Sequence, residues 1–347
     1  MPPRVSVLIP IYTPGPVLRR CLSSVARQTY ADLEILAIDD AGPEPVQGVI
    51  DEFARDDVRW KTVSHERNLG LSASLNDGLR NSTGPFVLVL QQDCEILGED
   101  AIEDAVSLME QDDHRCLSGE PVLVLPEMSP TQVAFAAIWN HLPESGDPDL
   151  EPVGFSELKC DLFPRIALLA GGAFEERLRI SGEDQVLSHR LWSSGWPIVR
   201  SAALRFVLRP GRQASIRDYL RKEFLYGRSQ LGILLFTTFA SVTTTRSAPQ
   251  GRRRLANRVH GLLATLSIVG IAAVVLISGP ALWLVLLAVV PGSQMFVVGR
   301  RTARVTRRAP RRVRTVAAAV LLTPLDDLVY GAGMAVAVPV FLARRRI

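Results

Sequence analysis

The sequence predicts an α/β domain with a mostly parallel sheet and helices on both faces, followed by C-terminal transmembrane helices. Three observations predict it. Strand-like apolar runs alternate with segments of helical spacing through residues 5–109. Charge divides the chain: residues 1–230 hold 23 Lys+Arg against 34 Asp+Glu, while residues 231–347 hold 16 Arg, two Asp, and neither Glu nor Lys. The overall charge of +3 therefore conceals −11 followed by +14. Finally, Val259–Gly279 and Ala281–Gly299 lack Asp, Glu, Lys and Arg altogether, and each is near the ~20 residues that cross a bilayer core.

The elements follow in order. Val5 to Pro10 is an apolar β-branched run and reads as a strand. Pro16 to Arg27 places Val17, Leu18, Cys21, Leu22 and Val25 at helical spacing. Leu33 to Ile38 is a second strand, closed by Asp39-Asp40, and Pro45 to Phe53 is a helix. Val58 to Val63, Leu71 to Leu79, Phe86 to Leu90 and Glu99 to Met109 continue as strand, helix, strand and helix. Gln185 to Trp192 is helical through Val186, Leu187 and Leu191. Four cysteines, at 21, 94, 116 and 160, show no paired metal-type spacing and are expected as reduced thiols.

The strand ending at Leu90 leads into Asp93-Cys94-Glu95. In open α/β folds, ligands bind where strands end. Two carboxylates one residue apart repel unless a cation lies between them. A divalent ion carrying a diphosphate is one solution.

Several short motifs occur in a fixed order. They are the strand Val5–Ile11 with Tyr12, Cys21-Leu22-Ser23-Ser24-Val25, Arg27-Gln28-Thr29-Tyr30, and Glu34 to Asp40. Arg67-Asn68-Leu69-Gly70, Asn76, Asp93-Cys94-Glu95 and Gly182-Glu183-Asp184 with Arg190 follow. Over roughly the first 200 residues this series resembles a family 2 glycosyltransferase with a GT-A fold. The resemblance implies an inverting transferase that moves a sugar from a nucleotide-sugar donor. Pro10, Tyr12, Asp39, Asp40, Arg67 and Asp93 would contact the donor. Asp93 and Glu95 would hold Mg²⁺ or Mn²⁺, which neutralises the diphosphate leaving group. Asp184 would be the general base, with a helix-capping role as its alternative. Gly172, Glu183 and Trp192 would face the acceptor, although core packing explains Trp192 equally well. One departure stands out: the family's usual D-D-G-S is Asp39-Asp40-Ala41-Gly42 here.

Residues 1–212 are thus expected as the catalytic domain, 213–258 as an amphipathic juxtamembrane linker, and 259–347 as the membrane region. Ile216, Tyr219, Leu220, Phe224 and Leu225 lie near one helical face beside Arg217, Arg221 and Lys222, as in an interfacial helix. Segments 259–279 and 281–299 form a hairpin about Gly279-Pro280, and 300–314 is a basic loop. Segment 315–342, interrupted by Asp326-Asp327, is a re-entrant pair or a third span. Arg clusters bracketing apolar runs place those flanks in the cytoplasm. They favour membrane lipids over nucleic acid as partner. Met1-Pro2-Pro3-Arg4 runs straight into a strand, so a cytoplasmic catalytic domain on the inner (plasma) membrane is expected. The expected acceptor is lipid-linked or a cell-envelope glycan. A polyprenyl-phosphate monoglycosyltransferase and a processive polysaccharide synthase are the alternatives, the latter without its Q-x-x-R-W motif. A catalytically silent membrane scaffold is the alternative of a different class. Oligomeric state is not legible.

Overall fold

The computed structural model describes residues 2–112, 114–122, 150–178, 181–208, 216–233, 325, 329–334 and 336–337. They fall into two units. The first contains one eight-stranded sheet ordered β3-β2-β1-β4-β7-β6-β8-β5. Its strands are β1 (Val5–Ile11), β2 (Leu33–Asp39), β3 (Trp60–Ser64), β4 (Phe86–Leu90), β5 (Cys94–Ile96), β6 (Cys116–Val122), β7 (Cys160–Pro164) and β8 (Ile198–Leu208). The helices are α1 (Pro16–Ala26), α2 (Gln47–Ala54), α3 (Leu71–Asn81), α4 (Ala101–Gln111), α5 (Arg165–Ala170) and α6 (Glu183–Ser193).

The four expected strands of residues 5–90 are parallel neighbours. Beyond them the sheet is mixed: four of its seven pairings are parallel, in keeping with a mostly parallel sheet, and three are antiparallel. β7 runs antiparallel to β4 and β6, and β5 antiparallel to β8, while β6 and β8 are parallel. Apolar runs reveal a strand but not its direction, which the connections and ladder bonds decide.

Alternation along each strand builds two cores. Val5, Val7, Ile9 and Ile11 pack with Leu18, Cys21, Leu22 and Val25 of α1, Ile50 of α2 and Ile102 and Val106 of α4. On the other face Leu8, Leu36 and Ile38 meet Leu75 and Leu79 of α3 and Leu187 and Leu191 of α6. Sheltering large apolar side chains gives ~1.5–3 kcal/mol each relative to exposure, so both layers are anchored independently. Pro16 opens α1, where its missing N–H is harmless. β3 begins later than expected. Val58 is 98% exposed, because Asp57 accepts from the Arg59 N–H and from the Trp60 indole and closes a local turn first.

The second unit contains α7 (Ile216–Ile233) and helical residues 329–334. Tyr219, Glu223 and Gly227 form its buried stripe, whereas Ile216 is exposed. A Cβ on Gly227 would fall 2.0 Å from the Tyr330 carbonyl oxygen, and one on Gly333 would fall 2.1 Å from that of Phe224. Two glycines therefore let the two backbones touch, and α7 spends its apolar face partly on protein. The hairpin 259–279 and 281–299, the loop 300–314 and most of 315–342 lie outside the described residues. Among the described residues no helix is long and apolar enough to cross a membrane.

Candidate active site

The C-terminal ends of the parallel strands build the first part of the site. Beyond Leu8, β1 pairs only with β2. Pro10 therefore costs no ladder bond, and it lies buried within the strand. Tyr12, next after β1, is 47% exposed. Its backbone is clamped by Gln92, whose Oε1 accepts the N–H groups of Tyr12 at 2.6 Å and Thr13 at 3.3 Å. Gln92 Nε2 returns a bond to Thr13 Oγ1 at 2.8 Å.

The D-D-A-G departure has a geometric explanation. Ala41 adopts φ 47°, the left-handed conformation that glycine favours, at a cost of ~1–2 kcal/mol. Gly42 is required by contact instead: a Cβ there would lie 1.6 Å from the Tyr12 carbonyl oxygen. The two aspartates also separate in role. Asp39 is half-buried and accepts the Ala41 N–H at 3.0 Å. Asp40 is buried and faces inward. It accepts the Leu69 and Gly70 N–H groups, accepts from Asn68, and contacts His65 Nδ1 at 2.9 Å. Asp40 thus shapes the 65–70 loop, whose Arg67 is exposed, rather than facing a ligand itself. His65 extends the network to Asp77 at 3.0 Å.

Asp93 is the turn residue before β5 and Glu95 lies within it; alternation turns Glu95 away from the buried Cys94, whose thiol lies 3.6 Å from Asp93 Oδ1. Lys159 holds Asp93. Its Nζ donates to Asp93 Oδ1 at 3.1 Å and Oδ2 at 3.0 Å, and to Gln91 Oε1 at 2.6 Å. Nothing around Asp93-Cys94-Glu95 announces Lys159, 66 residues away. Its only local signal is a lone Lys before the apolar run of β7. The residues fit a hard divalent cation bound jointly with a diphosphate. Such ions use one or two carboxylates plus phosphate oxygens and waters, and an ammonium already sits against Asp93. Among the described residues no third His, Cys, Asp or Glu completes a protein-only cluster.

The second acidic pair stands at the start of α6. Gly182 caps the helix at φ 106°, and Glu183 and Asp184 occupy its first turn. The helix dipole favours anions there. Burial first, then repulsion from Asp184, pushes the Glu183 carboxyl up to about 7, while Lys159 eases it down. Asp184 Oδ1 accepts the Gln185 N–H at 2.8 Å. The neighbouring 171–176 loop carries exposed Gly172 at φ 73°. Asn76 fixes this loop by exchanging bonds with the Phe174 N–H and C=O. Glu175 accepts from Arg177 and from Arg190 of α6; Arg177 foremost lowers it to about 2. Trp192 is partly buried and packs, the alternative given for it above. Its indole N–H donates to the Val153 carbonyl and its ring lies against the second core.

Residues 6–149 match the family model "Glycosyl transferase family 2". This segment is a family 2 glycosyltransferase domain. The uncharacterized glycosyltransferase EpsJ of Bacillus subtilis is 32% identical over 87 residues, 25% of each chain. The GalNAc(5)-diNAcBac-PP-undecaprenol beta-1,3-glucosyltransferase of Campylobacter jejuni is 30% identical over 96 residues, 27% of this chain and 31% of its own. The match therefore spans a quarter to a third of these relatives' length. The mannosyltransferase of Pyrobaculum calidifontis, solved with GDP-Man and Mn²⁺, has a TM-score of 0.55 and 15% identity, covering 92% of this chain and 87% of its own. That likeness establishes a GT-A-like fold for the chain that carries the family 2 domain.

Proposed function

We propose that this chain is an inverting, metal-dependent glycosyltransferase that moves a sugar from a nucleotide-sugar donor to a lipid-linked or cell-envelope glycan acceptor. The observation that carries the reading is geometric. Lys159 pairs with Asp93 of the D-x-E triplet, and three residues earlier the Ser156 N–H donates to Ser188 Oγ, which donates to the Asp184 carbonyl in the first turn of α6. These bonds tie the segment that reaches the strand-end acids to the helix that carries the second pair, and support reading the two pairs as one site.

In this reading Tyr12 and Asp39 hold the nucleoside, and Asp40 acts by shaping the loop that carries Arg67 toward the diphosphate. Asp93 and Glu95 hold Mg²⁺ or Mn²⁺, which when bound neutralises the leaving group as a Lewis acid. Asp184 takes the proton of the acceptor hydroxyl as its oxygen attacks the anomeric carbon. The carbon–oxygen bond to the diphosphate breaks and its electron pair leaves with the nucleotide. One displacement inverts the centre and requires no enzyme nucleophile. Burial and the neighbouring Asp184 favour the protonated form of Glu183. Gly172 keeps the acceptor side of the loop open.

The Arg clusters and apolar runs of residues 246–346 support an anchor in the inner (plasma) membrane with the catalytic domain cytoplasmic. The Campylobacter relative, whose name contains PP-undecaprenol, supports a polyprenyl-linked acceptor. The test is a panel of UDP- and GDP-sugars with the detergent-purified chain and Mn²⁺. The correct donor at 100 times its dissociation constant stabilises by ~2.7 kcal/mol. EDTA and Asp93→Ala each abolish transfer; full transfer by Asp93→Ala in metal-free buffer refutes the metal site.

A further inference from the structure

The site must admit a polyanion, yet it is lined by acids. Asp93, Glu95, Glu183 and Asp184 would oppose a diphosphate by charge alone. Among the described residues of the first unit, Lys159 is the cation paired with Asp93. It is set there by backbone, not by chance rotamer. β7 pairs with β4 at Leu90↔Cys160, and the Gln91 N–H donates to the Lys159 carbonyl at 2.9 Å. The residue is therefore fixed beside Gln91, with its side chain reaching across to Asp93. All its donor capacity is engaged, by Gln91 Oε1 and both Asp93 oxygens. The side chain is nevertheless 22% exposed, so a ligand can reach the ammonium. Glu157 and Glu183 lie within its electrostatic reach.

We propose that Lys159 is a diphosphate ligand held on Asp93. Without nucleotide its ammonium neutralises Asp93. With a nucleoside diphosphate bound, it turns to the phosphate oxygens and leaves Asp93 to the divalent cation. Lys159 and the metal thereby compete for Asp93 in the empty site and cooperate in the filled one. This rests on the nucleotide-sugar reading above. A structural ion pair makes a different prediction: loss of Lys159 then weakens every ligand alike.

The test uses full-length protein in detergent. UDP and GDP binding is measured by calorimetry in EDTA. Mn²⁺ binding without nucleotide is measured by electron paramagnetic resonance. Lys159→Met and Lys159→Gln are expected to weaken diphosphate binding in EDTA about tenfold or more, the scale of one charge-assisted hydrogen bond. They are expected to tighten Mn²⁺ several-fold, because Asp93 is released. Asp93→Asn is expected to act oppositely, with Mn²⁺ weakened and diphosphate in EDTA bound as tightly or more so. Weakening of both ligands by the Lys159 variants overturns the proposal. So does weaker diphosphate binding by Asp93→Asn, which decides the matter alone if melting curves show the Lys159 variants unfolded. If wild type binds neither UDP nor GDP even with Mn²⁺, the nucleotide-sugar reading fails first and takes this inference with it.

Discussion

Asp40→Ala and Asp39→Asn separate the two acids of the D-D pair. Asp40 is 5% exposed. Its Oδ1 accepts the Leu69 N–H at 2.8 Å and contacts His65; its Oδ2 accepts the Gly70 N–H and Asn68 Nδ2, each at 3.0 Å. Truncation strands two main-chain donors and one imidazole. Asn68 is exposed and recovers water. At ~1–3 kcal/mol per unpaired buried group, and allowing for partial hydration of the loop, the loss is about 3–5 kcal/mol. That is the range for breaking a buried charged pair. Asp39 loses far less as Asn, because the turn bond it accepts from the Ala41 N–H is one that an amide oxygen can retain; the change is about 0.5 kcal/mol or less. Donor affinity should fall in both variants, in Asp39→Asn without a stability change. Urea unfolding followed by tryptophan fluorescence gives the midpoints, and an unchanged m-value validates the comparison. Hydrogen exchange should localise the Asp40→Ala effect to residues 65–70. Stability of Asp40→Ala within about 1 kcal/mol of wild type, or a larger loss in Asp39→Asn, refutes the inward role of Asp40.

Asp184→Asn should reduce transfer ~10²–10⁴-fold while calorimetry shows donor binding intact; near wild-type turnover would move the base to Glu183. Two carboxylates should give opposite pH signatures. Burial opposes ionisation of Glu34, but bonds from Lys61, Ser6 and Thr83 outweigh it and bring it to about 2. Its folded value lies below the ordinary 4.5, so its contribution is complete above pH 4.5 and is lost as pH falls toward 2. Glu34→Gln should therefore flatten the acid limb of a melting-temperature profile. Glu183 lies above its ordinary value, so its contribution is complete below pH 4.5 and is lost as pH rises through about 7. Glu183→Gln should flatten that limb, and a profile matching wild type would count against the raised value of Glu183. Gly42→Ala should displace Tyr12, since its Cβ would overlap the Tyr12 carbonyl; loss of nucleotide affinity with α1 and β2 intact by hydrogen exchange is the expected result.

Much of the first unit was legible because its signals are local. A buried strand announces itself through continuous apolar residues, and an amphipathic helix through a period of 3.6. Strands β1, β2 and β4 and helices α1, α3 and α6 accordingly begin and end within two residues of their expected bounds. The strands β5, β6, β7 and β8 were not expected. They carry Asp, Glu, Arg or Ser among their apolar residues and cohere only through their partners. Asp93, Glu95, Glu183 and Asp184 were visible as motifs, since each pair is contiguous or nearly so.

What the sequence determined by itself was therefore the alternation of elements, the split of charge, and the acids grouped at element ends. Tertiary structure decided which groups meet. Asp40 turned inward because four donors of the 65–70 region surround it, a fact written in no spacing within Asp39-Asp40. The Trp192 indole met the Val153 carbonyl, which a distant segment offers. Lys159 reached Asp93 because β7 runs antiparallel to β4 in one register, and a slip of one residue would turn every side chain of β7 to the opposite face. Local periodicity is a property of neighbouring residues. Register and strand direction are set by ladder bonds between segments that the chain brings together only on folding.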